Sequence, residues 1–389
     1  MVAELAGAPR TGGFPVEPAE VEARRWLDAL EAETGPLALF DTHTHFGRHD
    51  PDEVRQEPAE LLATMKNANA RAITFPMHEP DGYRAANDEA REIEAGSDGR
   101  IVHFCRVNPH DGAPTEAERC LDLGAHGIKL HPRAEQFAMS EAAVEDLTRL
   151  AEERGVPILI HAGRGIPALG RDTVELAERY PGARFILAHA AVSDLAWLWR
   201  LMPDHPNLFV DTSWWNPADF VGLFSLVPPG QILWASDNPY GLPTYGAAFH
   251  LRYALLVGLD GDQIRAIAGG QIERILAGEE PLDLGPAPGP PGALDPGMER
   301  IVSHLTTAIG RVLAEGDPGE SIALAQLACD LDGPEPATCR AVLDLLDLAR
   351  LYAGPPRPGR RASVSAQMTM AAAGVARTPG IALPPEVGA

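Results

Sequence analysis

The chain has 389 residues, 45% of them hydrophobic, and carries a formal net charge of -23. That length allows one large domain with an appendage, and the charge works against binding to nucleic-acid phosphates or an anionic membrane surface, so a small molecule is the expected partner. No apolar run approaches the roughly 20 residues that span a bilayer, no basic-then-apolar leader is seen, and Cys105, Cys120, Cys329 and Cys339 form no Cys-x-x-Cys pair, so a cytoplasmic protein with reduced thiols is expected.

Residues 1–16 are rich in Gly, Ala and Pro and are expected to be disordered. Val21, Trp26, Leu27 and Leu30 fall near helical spacing and predict an outer helix within residues 17–36, ended by Gly35-Pro36. Short apolar runs then appear at 37–43, 72–76, 101–107, 127–130, 156–161, 184–189, 208–211 and 231–236, separated by amphipathic segments such as 58–69, 83–95, 140–154 and 172–180. Successive runs are spaced by the length of one strand plus one crossover helix, which predicts an α/β chain of eight parallel βα units. A closed (β/α)8 TIM barrel over residues 37–278 is the economical solution. A doubly wound open sheet is the alternative, but no Gly-rich phosphate fingerprint follows the first strand. Residues 279–296 read as a Pro/Gly linker. Beyond them Ile301, Leu305, Ile309, Val342, Leu346 and Ala349 predict a small helical appendage over 297–353, touching the barrel or a second subunit, and 354–389 read as a disordered tail.

The first barrel run ends in Asp41-Thr-His43-Thr-His45, and alternation along a strand places all three odd residues on one face. Other run ends supply Lys129, His131, His161, His189 and Asp237, and a barrel gathers its strand ends at one mouth. Imidazole and carboxylate suit a borderline divalent ion such as zinc, with a position left for water whose pKa then falls to about 7. A carboxylate and an imidazole beside that water can move its protons. Asp41 reads as a cap on the strand end, with orientation of a histidine ligand as its other role. Arg48, Arg106, Arg133 and Arg164 also follow strands and would favour a carboxylate-bearing substrate, while Trp214, Trp215 and Tyr240 are placed to wall a pocket for a ring.

The motifs Asp41-Thr-His-Thr-His45, Gly127-Ile-Lys-Leu-His-Pro132, His161-Ala-Gly, Ala188-His-Ala and Ala235-Ser-Asp-Asn-Pro239 resemble, in order and spacing, the metal-dependent amidohydrolase superfamily. The branch they resemble includes aminocarboxymuconate-semialdehyde decarboxylase. The resemblance implies metal ligation by His43, His45, His161 and Asp237, with Asp237 as proton shuttle and His189 acting on water or substrate. It implies one divalent ion, with Zn2+ expected, Mn2+ the other choice and a second ion less expected. Lys129 is read as anchoring substrate, together with His131, Arg106 and Arg164, in preference to carrying a bridging carbamate. The expected reaction is hydrolysis of an amide, cyclic amide or ester. Non-oxidative decarboxylation uses the same ligands and is the first rival, and a ligand-binding barrel without turnover is the second. A homo-oligomer is a further expectation.

Overall fold

The computed structural model describes residues 9–385. Its centre is a ring of parallel strands: β1 (Phe40–Phe46), β2 (Arg71–Pro76), β3 (Ile101–His103, continued by Cys105–Arg106), β4 (Ile128–Leu130), β5 (Pro157–Ile160), β6 (Arg184–Leu187), β7 (Leu208–Asp211) and β8 (Ile232–Leu233). Each strand pairs in parallel with the next in sequence. The ring closes between β1 and β8, where the backbone N–H of Thr42 donates to Trp234 O at 3.2 Å and that of His45 to Asn238 O at 2.7 Å. All eight expected runs are present, and the fold is the TIM barrel.

Helix α1 (Pro18–Thr34) precedes the barrel and buries Trp26, Leu27 and Leu30. The crossovers are α2 (Pro58–Ala68), α3 (Arg84–Ala95), α4 (Ala113–Asp122), α5 (Ala142–Arg154), α6 (Leu169–Arg179) and α7 (Pro217–Leu226), and α8 (Pro243–His250) follows β8 and packs on α1. Many prolines that suggest loops by composition instead open helices, as Pro18, Pro58, Pro217 and Pro243 do. At a first helical position the missing N–H costs nothing and the fixed φ is already helical.

The barrel interior is apolar below the mouth: Phe40, Ile73, Phe75, Phe104, Leu159, Ile186, Phe209 and Leu233 fill it, and Ile272 and Ile275 close the base. One irregularity lies in β1. Asp41 pairs with Ala72 but Thr44 with Thr74, so β1 carries one extra residue between them. The bulge changes the phase of alternation. Phe40 and His45 therefore share the face of Arg71 and Phe75, while Asp41 lies on the face of Ala72. The expectation that Asp41, His43 and His45 all share one face is corrected for Asp41.

The C-terminal part differs most from expectation. After α9 (Pro296–Leu313), α10 (Gly319–Ala328) and α11 (Pro336–Leu351), the supposed disordered tail contains α12 (Val364–Arg377). Its Ala, Gly and Ser composition suggests disorder, yet Ala366, Ala371, Ala372, Ala373, Gly374 and Ala376 are buried, because small side chains let a helix approach its neighbours closely. This helix packs against α9 and α11 and also meets α1, α7 and α8, so the appendage is docked on the barrel. The buried Arg252 guanidinium reinforces the junction by donating to Thr378 Oγ1 at 2.5 Å. Of residues 1–16, Arg10–Thr11 and Phe14–Pro15 form a short antiparallel hairpin, and 1–8 lie outside the described residues, as do 386–389 of the tail. Residues 279–296 contain almost no regular structure but are pinned, with Leu282 N donating to Gln271 Oε1 at 2.9 Å and Gly289 N to Ser225 O at 3.0 Å.

Candidate metal centre

Three side chains converge at the mouth. His43 Nε2 lies 3.1 Å from His45 Nε2 and 3.4 Å from Asp237 Oδ1, and His45 Nε2 is 3.2 Å from the same oxygen. Ligands held about 2.0–2.2 Å from a tetrahedral zinc stand about 3.3–3.5 Å apart, close to this triangle. The hydrogen bonds behind the triangle indicate which atoms carry lone pairs. His43 Nδ1 donates to Asp211 Oδ2 at 2.9 Å, which leaves Nε2 as an acceptor facing two other acceptors. Three electron-pair donors at such separations repel one another unless a cation sits among them, so the residues fit a divalent ion.

Two site residues hold unusual backbone. Asp237 has φ of 60° and His189 of 58°, the left-handed region that costs a non-glycine residue about 1–3 kcal/mol and that clusters at functional sites. Neighbours hold them there. Ser236 Oγ and N both bond to Asp41, and Gln56 Nε2 donates to Asn238 Oδ1 at 2.6 Å. Asp41 therefore ties β1 to the loop after β8, as a strand-end cap would, and it also accepts from His43 N at 3.2 Å.

Behind the triangle lies a relay of imidazoles. His189 Nδ1 donates to Ser213 O at 2.7 Å, so its Nε2 is an acceptor for His161 Nδ1 at 3.0 Å. His161 Nε2 is then left with a lone pair and is buried without a partner. His161 stacks on His131, with ring centroids 3.8 Å apart, and stands outside the three-residue group. Lys129 Nζ is buried 3.4 Å from His43 Nε2 and 4.5 Å above the Phe75 ring, and burial together with the Arg106 charge pushes its ammonium down to about 7. Burial also lowers His43, His45, His131 and His161 well below the ordinary imidazole value, which keeps them neutral, and raises Asp237 well above the usual carboxylate range.

The other expected residues separate by their partners. Arg106 is buried and bonds Glu135 at 2.6 Å, so its charge is already matched; Tyr83 donates to the same Glu135 oxygen at 2.5 Å. Arg164 lies 5.4 Å over the Trp214 ring, and Arg48 pairs with Glu57 away from the centre. A concavity of about 360 Å³ opens on the same side of the barrel, lined by His78, Tyr83, His110 and Glu135 among others. Asp211 and Ser213 went unnoticed in the sequence, although Asp211 occupies the end of β7 as the ligands occupy theirs; its position at a strand end was the available signal.

The amidohydrolase family model matches residues 40–277, more than half of the chain. The chain belongs to the amidohydrolase family. Solved structures similar to this amidohydrolase include 5-carboxyvanillate decarboxylase from Sphingomonas paucimobilis, 19% identical over 62% of this chain and 99% of that one, with a TM-score of 0.49. Another is 2,6-dihydroxybenzoate decarboxylase from Rhizobium, 15% identical over 62% and 99%, with a TM-score of 0.49. An uncharacterised TIM-barrel protein from Bordetella bronchiseptica, 14% identical over 62% and 99% with a TM-score of 0.50, supports the barrel architecture of this amidohydrolase. No curated protein matches the chain. The family match ends where the Pro-rich segment begins, so the appendage of this amidohydrolase lies outside it. Among the described residues, no helix is long and apolar enough to cross a membrane.

Proposed function

We propose that this amidohydrolase is a metal-dependent enzyme of small ring-bearing carboxylates, and that it removes a carboxyl group without oxidation. The observation that carries this reading is the chemistry around the ligand triangle. Phe75 and Tyr240 meet the His45 ring at centroid distances of 4.6 and 5.4 Å, Trp214 faces His189 at 6.3 Å, and the cations Lys129 and Arg164 lie over Phe75 and Trp214. An aromatic wall with cations behind it suits a flat anion, and burial of the ligands keeps water scarce where a carbon–carbon bond is to break.

His43, His45 and Asp237 would hold the ion, and the unpaired Nε2 of His161 is the candidate fourth ligand. Zinc or manganese there would polarise a substrate oxygen and stabilise the electron pair left behind. Asp237 acts as the proton carrier: as carbon dioxide leaves, the ring carbon keeps the bonding pair and takes a proton from the Asp237 carboxyl, which water then reloads. His189, held neutral and oriented by Ser213, positions His161 beside the reacting group. Asp211 fixes His43 in the tautomer that binds metal. Lys129 and His131 face the substrate from β4.

Hydrolysis, the reaction expected first from the sequence, is the second reading and is favoured by one observation, the unpartnered lone pair on His161 Nε2, which could accept a hydrogen bond from an attacking water and orient it. One assay separates them. Protein loaded with zinc or with manganese is incubated with 5-carboxyvanillate and 2,6-dihydroxybenzoate, and with amides and esters of related acids. Released carbon dioxide, abolished in Asp237→Asn, supports decarboxylation; water added across an amide or ester with no gas released supports hydrolysis. Metal content near one equivalent, lost in His43→Ala, is expected for either.

A further inference from the structure

We propose that the concavity between the loops after β2, β3 and β4 is a second binding site, beside the metal centre and separate from it, and that it takes a small organic cation bearing ammonium groups. The proposal stands on the geometry of this concavity and does not depend on which reaction the mouth performs.

The concavity has a volume of about 360 Å³, within the range of small-molecule sites. Its wall includes His78, Glu79 and Tyr83 after β2, His110 and Asp111 after β3, and Glu135 after β4. These loops leave the C-terminal ends of adjacent parallel strands, so the concavity opens on the side of the mouth. The metal ligands are near. Phe75, whose ring packs on those of His43 and His45 at centroid distances of 5.2 and 4.6 Å, stands three residues before His78, a chain span of at most about 11 Å. Glu135 N donates to His131 O at 3.1 Å, so a single turn joins the opposite wall to the imidazole stacked on His161.

Glu135 makes this more than a group of acids. Its side chain is only 2% exposed, and its Oε1 accepts from Arg106 Nη2 at 2.6 Å and from the Tyr83 hydroxyl at 2.5 Å, whereas Oε2 is buried without a partner. His78 Nδ1 is a second buried atom of the wall with no partner. A buried acceptor left unmet carries a free-energy cost that a donor on a ligand removes.

The surrounding charges decide which donor is favoured. Glu79 and Asp111 add two carboxylates, and among the described residues no lysine or arginine lines the wall. Arg106 matches the charge of Glu135 alone, and the histidines at the rim are each held by an acid, His49 by Glu79 and His110 by Glu141. The excess is negative, which favours a cationic donor over a neutral one. A bare metal ion does not suit these groups: among the described residues only His43, His45 and Asp237 bring three ligand atoms within 4.8 Å of one another. Acids spread over a wall of this size suit an extended cation, with one ammonium at Glu135 and another at the rim.

The test titrates full-length, metal-loaded protein with diaminobutane, a dication at neutral pH, and with butanediol, its neutral counterpart, by calorimetry. The unaltered chain is expected to bind a single diamine about tenfold more tightly than the diol, a preference that falls as salt rises. Asp111→Asn and Glu79→Gln should each weaken the diamine about threefold, with metal content and melting temperature unchanged. Glu135→Gln should weaken it about tenfold, and the two rim variants decide the matter if that chain does not fold. Glu299→Gln, outside the concavity, and His43→Ala, which is expected to lose the ion, should bind the diamine as the unaltered chain does. Equal affinity for diamine and diol overturns the proposal, as does diamine binding that ignores both rim variants, or that is lost in His43→Ala and so belongs to the mouth. A second titration identifies the source of the ammonium group. Tighter binding of para-aminomethylbenzoate than of para-methylbenzoate, reduced in Asp111→Asn, places the amine on the substrate; equal binding of the two acids, with diaminobutane still bound beside benzoate, makes it a separate ligand.

Discussion

Asp211 shows how much of a candidate metal centre rests on side chains behind the residues that would hold the ion. It accepts from His43 Nδ1, from His189 N at 2.9 Å and from Ser213 Oγ at 2.5 Å, and it is fully buried. Removing its carboxylate frees the His43 tautomer and takes the acceptor away from four donors, Ser213 N at 3.0 Å being the fourth. Asp211→Ala is expected to weaken metal affinity about 10–100-fold, measured by competition with a chromogenic chelator; unchanged affinity would refute the orienting role. Asp237→Asn keeps size and a coordinating oxygen but removes the acid, so turnover should fall by about 10²–10⁴-fold with most of the metal retained, as read by activity alongside metal analysis. The candidate ligands His43 and His45 are legible in the sequence because strand-end histidines are rare in a chance arrangement. Asp211 was not, because one aspartate after an apolar run is ordinary until something is seen to bond to it.

At the level of elements, two features depend on close backbone approach. In the segment Ala266–Gly270, a Cβ added to Gly269 would stand 2.2 Å from Ala38 O, at the entrance to β1. Gly269→Ala therefore forces β1 or this segment to move. It should destabilise the protein by more than about 2 kcal/mol in urea unfolding and reduce metal content as the ligand strand shifts; an unaltered midpoint would show that the contact yields easily. In α12, Met368 is 1% exposed and lies in the main core. Met368→Ala should cost about 2–5 kcal/mol if the C-terminal helix belongs to the same cooperative unit as the barrel, and much less if it unfolds separately. The β1 bulge has the same character: alternation suggests one face for Asp41, His43 and His45, and the extra residue separates Asp41 from the other two.

Across the whole molecule, charge sets the response to acid. Burial alone would raise Glu94 and Glu116, but bonds to His103 and His126 for the first, and to Arg119, Asn87 and Cys120 for the second, outweigh it and hold both down to about 2. A carboxylate whose folded pKa is depressed contributes stability that is complete above its unfolded value of about 4.5 and is lost as pH falls through the folded value. The melting temperature should therefore fall between about pH 4.5 and pH 2, and the double variant Glu94→Gln, Glu116→Gln should be less stable at neutral pH but lose less across that window. A parallel decline in both proteins would assign acid sensitivity elsewhere. The sequence by itself determined the eight βα units, their order and the histidines at their ends, because apolar periodicity and strand spacing are local and parallel pairing with right-handed crossovers leaves few ways to assemble them. It also located the appendage. Only the tertiary structure decided that α12 is an ordered helix docked on the barrel, that Asp211 supports His43, that Arg106 is spent on Glu135 and that residues 357–361 lie on the outer side of the loop after β1. These features depend on partners far along the chain, 29 positions for Arg106 and Glu135 and 340 for Arg357 and Glu17, and no local pattern encodes which distant group a side chain will meet.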